Sequence, residues 1–244
     1  MKITIKRYTS EPQIKEAFLE YEIALENPTL LEALTYIKTK LDASLSFASG
    51  CRSSVCGSCS MRVNQKEVLA CAYKVQEGDV VEPLNNVPVI RDLVVDMEKS
   101  YATLSHAKAW LANTKSECNV SQEEVHRNEV QSDCILCGSC YSACPVYAVN
   151  GDFLGPFALT RVWRYVSDAR EEAEAEKIAT IQTNGVWDCT LCNNCTLVCP
   201  QNISSKADIE KLRSVSARHG FMDPAFGSFG GFGGGFGFDG SPSF

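Results

Sequence analysis

The 244-residue sequence predicts an α+β chain, with a sheet-containing N-terminal part followed by an all-helical part. Three observations predict it. Residues 2–7 and 18–25 alternate apolar and polar side chains at the period of strands. Helical signals fill most of the chain from residue 92 to residue 218. Twelve of the thirteen cysteines fall in three tight clusters at metal-ligand spacing, while Cys118 stands alone.

In order, Ile3 and Ile5 alternate with Lys2, Thr4 and Lys6. Glu11, Pro12 and Gln13 then supply a turn, and residues 18–25 return as the second strand of a hairpin. Asn27 and Pro28 end that strand. Thr29 and Glu32 form a capping box that opens a helix, and Leu30, Leu31, Leu34, Ile37 and Leu41 give it one apolar face for the core.

Cys51, Cys56, Cys59 and Cys71 follow, in the spacing C-x4-C-x2-C…C of plant-type [2Fe–2S] proteins. Small residues crowd this loop because the backbone must curl so that its N–H groups meet sulfur. That predicts unusual dihedrals at Gly50 and Gly57. A structural zinc site also uses four cysteines, but usually as two paired C-x2–4-C knuckles. Residues 61–64 and 68–70 read as a short hairpin and residues 80–82 as a further strand. Strand–strand–helix–loop–strands is the outline of a β-grasp ferredoxin domain, assigned to residues 1–91.

Residues 92–113 read as one long helix with Leu93, Met97, Leu104, Ala107 and Leu111 on a face, so residues 92–120 are expected to be a helical connector. Ser121 and Glu124 form a second capping box before a polar helix. His106 and His126 receive no role. The domain assigned to residues 121–219 carries C-x2-C-x2-C-x3-C-P twice, at Cys134, Cys137, Cys140, Cys144 and Pro145, then at Cys189, Cys192, Cys195, Cys199 and Pro200. This is the spacing bacterial ferredoxins use for cubane clusters, in which the fourth cysteine of each motif serves the other cluster. Cys134, Cys137, Cys140 and Cys199 are thus expected to hold one [4Fe–4S] cluster. Cys144, Cys189, Cys192 and Cys195 are expected to hold the other. Ile135, Leu136, Leu191, Leu197 and Val198 are expected to exclude water from them.

Helices are expected at residues 156–169, 171–181 and 206–218. The acidic run Glu171, Glu172, Glu174 and Glu176 reads as a solvated face. Residues 220–244 hold nine glycines and seven phenylalanines, a composition expected to be disordered on its own.

A net charge of −7 argues against nucleic acid as a partner. No apolar run approaches a membrane span, and residues 1–10 do not resemble a signal peptide. No nucleotide-binding fingerprint and no catalytic Ser/His/Asp set is present. Three clusters without substrate chemistry describe a relay of electrons between sites on partner subunits, with no catalytic residues of its own.

The chain resembles the iron–sulfur subunit of succinate dehydrogenase and fumarate reductase over about residues 2–218. The residues that carry the resemblance are Cys51, Arg52, Cys56, Gly57, Ser58, Cys59, Leu69, Ala70 and Cys71, then the first C-P motif, then Trp187, Asp188, Cys189, Thr190, Cys199 and Pro200. The resemblance implies a flavoprotein partner holding FAD, which interconverts fumarate and succinate beside the [2Fe–2S] end. It also implies a membrane anchor at the far end, a link to the quinone pool through that anchor, and peripheral membrane association through partners. The cytoplasmic face is the expected one, with the periplasmic face reached by co-export with a partner.

Two departures matter. Most of the family lacks a cysteine at the position of Cys192 and holds [3Fe–4S] there, whereas this spacing allows [4Fe–4S]. Tyr147, Ala148 and Val149 stand where many members carry quinone-side tryptophans, and Thr190 where some carry a histidine. Both departures resemble the methylmenaquinol:fumarate reductase branch, whose cysteine-rich anchor is related to heterodisulfide reductase and whose donor is a low-potential quinol or a thiol. The competing assignment is a subunit of a heterodisulfide-reductase-like or glycolate-oxidase-like complex. Such proteins resemble the cubane half but usually lack the Cys51–Cys71 domain.

Overall fold

The computed structural model of the protein describes residues 1–8, 16–112 and 114–227. The expected turn at Glu11, Pro12 and Gln13 and most of the Gly/Phe tract lie outside them. Strand β1 (Lys2–Tyr8) pairs antiparallel with β2 (Glu16–Glu22), and Ile3 and Ile5 point into the core while their charged neighbours face out. Hairpin β3 (Ser60–Val63) and β4 (Lys66–Leu69) joins through β5 (Val80–Glu82), which lies parallel to β1. The sheet order is β2-β1-β5-β3-β4.

Helix α1 (Leu30–Tyr36) packs its apolar face into the same core, and both halves of its capping box form: Thr29 N–H donates to Glu32 and Glu32 N–H donates to the Thr29 hydroxyl. Leu30, Leu31, Leu34 and Ile37 are buried as expected, but Leu41 is 49% exposed. The cause is a π-helical segment over Ile37–Leu41, closed by Asp42 N–H donating to Ile37 O at 2.8 Å. Its wider turn rotates Leu41 off the apolar face.

The expected long helix from residue 92 does not form. In its place come two short strands, β6 (Val89–Arg91) and β7 (Val94–Val95), and a shorter helix α2 (Glu98–His106). Asp92 turns the chain with φ +49° because distant groups hold its carboxylate. Arg7 Nε donates to it at 2.8 Å, Tyr8 N–H at 3.2 Å and Ser46 N–H at 2.8 Å. Leu93 is thereby drawn into the N-terminal core rather than onto a helical face. At the other end Lys108 adopts φ +50°, which stops the helix before Leu111.

The second half is helical. Helix α3 (Gln122–Ser132) carries the expected capping box at Ser121. Short α4 (Ser139–Ser142) and α5 (Pro145–Val149) follow the first cysteine motif. Helix α6 (Pro156–Val166) is central, burying Phe157, Ala158, Leu159 and Val162 against α3 and against α9 (Ser205–Arg218). Helix α7 (Glu174–Thr180) precedes the second motif, α8 (Asn194–Leu197) lies within it, and a short α10 spans Pro224–Gly227.

The acidic run is not wholly a solvated face. Glu171 is buried and pairs with buried Lys177 at 3.1 Å, and it accepts from Ala112 and Ala173 N–H groups. Burial of one charge forces burial of its partner. Glu172 and Glu176 stay exposed.

A polar seam joins the two halves. Asn86 Nδ2 donates to the carbonyls of Tyr141, Ser142 and Cys144 at 3.0, 2.9 and 3.2 Å. The Ser60 and Ser139 hydroxyls meet at 2.8 Å in a buried site, and the Ser142 hydroxyl donates to Glu67 at 2.7 Å.

Arg7 also pairs with Asp42 and donates to Tyr21, so it ties β1 to the π-helical segment and to the Asp92 turn. Arg7→Leu leaves Asp92 buried without its cation, and is expected to cost about 3 kcal/mol, read as a lower urea midpoint. An unchanged midpoint would contradict the clamp. Ser44, then Tyr21 and Arg7, hold the Asp42 carboxyl below the usual range. A depressed carboxyl stabilises the fold above its unfolded pKa, so this contribution is lost as pH falls below about 4.

Candidate metal centres

The first centre is built by the β3–β4 hairpin. Cys59 immediately precedes β3 and Cys71 follows β4, and Ala70 N–H donates to Cys59 O at 3.0 Å. The hairpin end therefore brings Cys59 and Cys71 together. The loop before it supplies Cys51 and Cys56. Its amides turn towards sulfur: Ser53 and Val55 N–H each lie 3.3 Å from Cys51 Sγ, Cys51 N–H 3.3 Å from Cys56 Sγ, and Ser54 N–H 3.3 Å from Cys71 Sγ. Such amides favour thiolate over thiol. The Ser58 hydroxyl, with the Cys51 amide, lowers the Cys56 thiol to about 6.

The left-handed residues are Arg52 (φ +60°), Ser54 (φ +64°) and Gly57 (φ +73°). Gly50, expected to share that conformation, does not. It is small for a different reason: a Cβ there would lie 2.9 Å from Cys56 Sγ.

The two later motifs repeat one backbone shape. Leu136 (φ +52°) and Gly138 (φ +82°) in the first correspond to Leu191 (φ +56°) and Asn193 (φ +73°) in the second. Glycine and asparagine are the residues that tolerate this region best. A single helical turn then follows each, α4 after Gly138 and α8 after Asn193.

Cys134, Cys137, Cys140 and Cys199 line one small cavity with Phe157 and Thr160. Cys199 thus sits with the first motif rather than its own. Cys144 lies near Cys189, Cys192 and Cys195 of the second motif. Burial pushes the Cys134, Cys137, Cys140, Cys144 and Cys189 thiols up, and Cys195 to about 11. Buried thiols crowded in this way need a cationic group among them to exist as thiolates, and the iron of a cluster is such a group. The donor set therefore fits cubane clusters.

Cys192 is exposed and opens this second group to solvent. Leu197, expected to exclude water, is 77% exposed, because its short helix α8 turns it outward. Ile135 and Leu136 do line the first cavity. Cys118 is exposed and remote from the three groups in sequence.

The first two centres meet at Gly57. A Cβ there would lie 2.7 Å from Cys137 Cβ and 2.9 Å from Ile135 O. Gln201 Nε2, just past Cys199, donates to Ser54 O at 3.1 Å across the same junction. Neither Gln201 nor Asn86 carries a motif that would flag it; only the repeat of left-handed positions at Gly138 and Asn193 was open to inspection.

A family profile described as a 2Fe-2S iron-sulfur cluster binding domain matches residues 2–102, and one described as a 4Fe-4S dicluster domain matches residues 130–203. The fumarate reductase iron-sulfur subunit of Mycobacterium tuberculosis is 38% identical over 228 residues, covering 88% of this chain and 92% of that protein. The chain belongs to the fumarate reductase/succinate dehydrogenase iron–sulfur subunit family. The 8-methylmenaquinol:fumarate reductase iron-sulfur subunit of Wolinella succinogenes is 35% identical, covering 90% of this chain and 74% of that protein. A chain of the solved Mycobacterium smegmatis Sdh1 complex in the apo form shares the fold. Its TM-score is 0.77 at 22% identity, and the match covers 89% of this chain and 95% of that one. As a family member the chain is an electron-transfer subunit with a [2Fe–2S] domain and a [4Fe–4S] dicluster domain.

Gly57 and Gly78 both have positive φ, but a Cβ at Gly78 meets nothing within 4 Å. Gly78→Ala should cost only the dihedral penalty, about 1 kcal/mol. Gly57→Ala should cost clearly more and loosen both adjoining centres, read from urea midpoints of the cluster-loaded protein. Equal losses for the two variants would contradict the contact.

Proposed function

We propose that Cys51, Cys56, Cys59 and Cys71 hold the [2Fe–2S] cluster. Cys134, Cys137, Cys140 and Cys199 hold one [4Fe–4S] cluster, and Cys144, Cys189, Cys192 and Cys195 the other. The observation that carries this assignment is the exchange of fourth cysteines, with Cys199 lining the cavity of the first motif. Bound clusters supply reversible one-electron chemistry. The chain's residues supply thiolates, amides that stabilise them, and apolar walls.

The partners follow from family membership and from which centre is open. A flavoprotein with FAD adjoins the [2Fe–2S] end, where fumarate and succinate interconvert. A membrane anchor adjoins the Cys192 end. No helix among the described residues is long and apolar enough to cross a membrane, so attachment to the membrane runs through the anchor. The surface beside Cys192 supports a cysteine-rich anchor of the methylmenaquinol type. Tyr147 is buried edge-on against Tyr141, with ring centroids 4.6 Å apart, and does not face a partner. Val149 and Leu197 are exposed. The likeness to the Wolinella succinogenes subunit supports the same branch.

The cluster-loaded protein is expected to hold about ten iron atoms per chain. Cys192→Ser should convert the outer cluster to [3Fe–4S], giving an EPR signal in the oxidised state that the parent protein lacks. If the parent already shows that signal, Cys192 is not a ligand. Purification of the native complex should bring down a flavoprotein and a cysteine-rich membrane subunit; an anchor without cysteine motifs would contradict the branch.

A further inference from the structure

We propose that Asp208 takes up a solvent proton when the centre ringed by Cys134, Cys137, Cys140 and Cys199 accepts its electron, so that the electron arrives without adding net charge to this buried region. The proposal rests on the cubane assignment above and gives that site a charge-compensating residue.

Asp208 lies in the first turn of α9 and is 1% exposed. Helix α3 offers it neutral Gln131, whose Nε2 donates to Oδ1 at 2.8 Å. Helix α6 offers neutral Thr160. Its own helix offers Lys211, with Nζ 3.7 Å from Oδ1 and the side chain about half exposed. Arg161 of α6 acts on Cys134 instead. The nearby charges of α7, Glu174 and Lys177, pair with His219 and Glu171. Helix α8, also packed on α9, carries no charged residue.

Two buried atoms are left without partners, Asp208 Oδ2 and Thr160 Oγ1. An ionised carboxylate oxygen buried without a partner is destabilised, so this site favours the neutral form. Burial raises this carboxyl to about 6, against the pull of Gln131, Lys211 and Thr160.

The carboxyl adjoins the cysteine ring twice. Thr160 lines the cavity, and Gln131 O accepts from Cys134 N–H at 3.4 Å. An electron placed in that cavity raises the proton affinity of a carboxylate beside it. The balance is simple: one electron comes from the neighbouring centre, one proton comes from solvent along Lys211, and one O–H bond forms at Oδ2.

The test is an EPR-monitored redox titration of the first [4Fe–4S] cluster in the intact complex, from about pH 5 to about pH 9. The midpoint should hold steady below about pH 6, then fall by up to about 59 mV per pH unit, the tenfold equivalent for one electron. Asp208→Asn should flatten the plot, and Gln131→Leu, which removes a donor to the carboxylate, should move its break to higher pH. A flat plot for the parent protein would overturn the proposal, as would an unchanged slope in Asp208→Asn or an unmoved break in Gln131→Leu. Absence of any [4Fe–4S] signal would overturn the ligand assignment, and the proposal with it.

Discussion

Two cysteine-bearing loops from different parts of the chain touch at Gly57, and only a residue without a side chain can stand there. The Cβ it lacks would lie 2.7 Å from Cys137 Cβ. Electron transfer between centres falls off with distance, so this contact fixes what the rest must achieve. The β3–β4 hairpin must present its loop at one end of the sheet, and the first cubane motif must meet it from the helical half. The left-handed turn at Gly57 lets its loop approach Cys137 and Ile135 backbone first.

The polar seam holds that contact in register. Hydrophobic packing alone would let the halves slide, because it is not directional. Asn86, donating to three carbonyls at and just past the end of α4, and the buried Ser60–Ser139 pair fix both distance and angle. Gln201 adds a link from the second motif to the [2Fe–2S] loop. The second cysteine motif differs, since Cys192 is open to solvent and leaves room for a partner.

Much of this was legible in the sequence, for local reasons. Capping boxes at Thr29 and Ser121 are short-range hydrogen-bond patterns, and both form. The alternation at Ile3 and Ile5, and the strand at residues 80–82, follow side-chain period alone. What was not legible depends on contacts far apart in sequence. A helix from residue 92 gives way to a turn because Arg7, at the other end of the domain, holds Asp92. Glu171 leaves the solvated face because Lys177 is buried with it. Leu41 turns outward because one π turn shifts the helical phase, which no composition rule encodes. The cysteine spacings named the metal chemistry, but only the fold brings Cys199 to the cavity of Cys134.

The contact at Gly57 requires that a [2Fe–2S] cluster held by the first loop and a cubane held by the second adjoin within one chain. Spin relaxation of the reduced [2Fe–2S] cluster reports it directly. The account predicts that its EPR signal relaxes faster, and needs more microwave power to saturate, once stepwise reduction makes the neighbouring [4Fe–4S] cluster paramagnetic. A saturation curve that does not change across that reduction would place the two centres far apart and contradict the account.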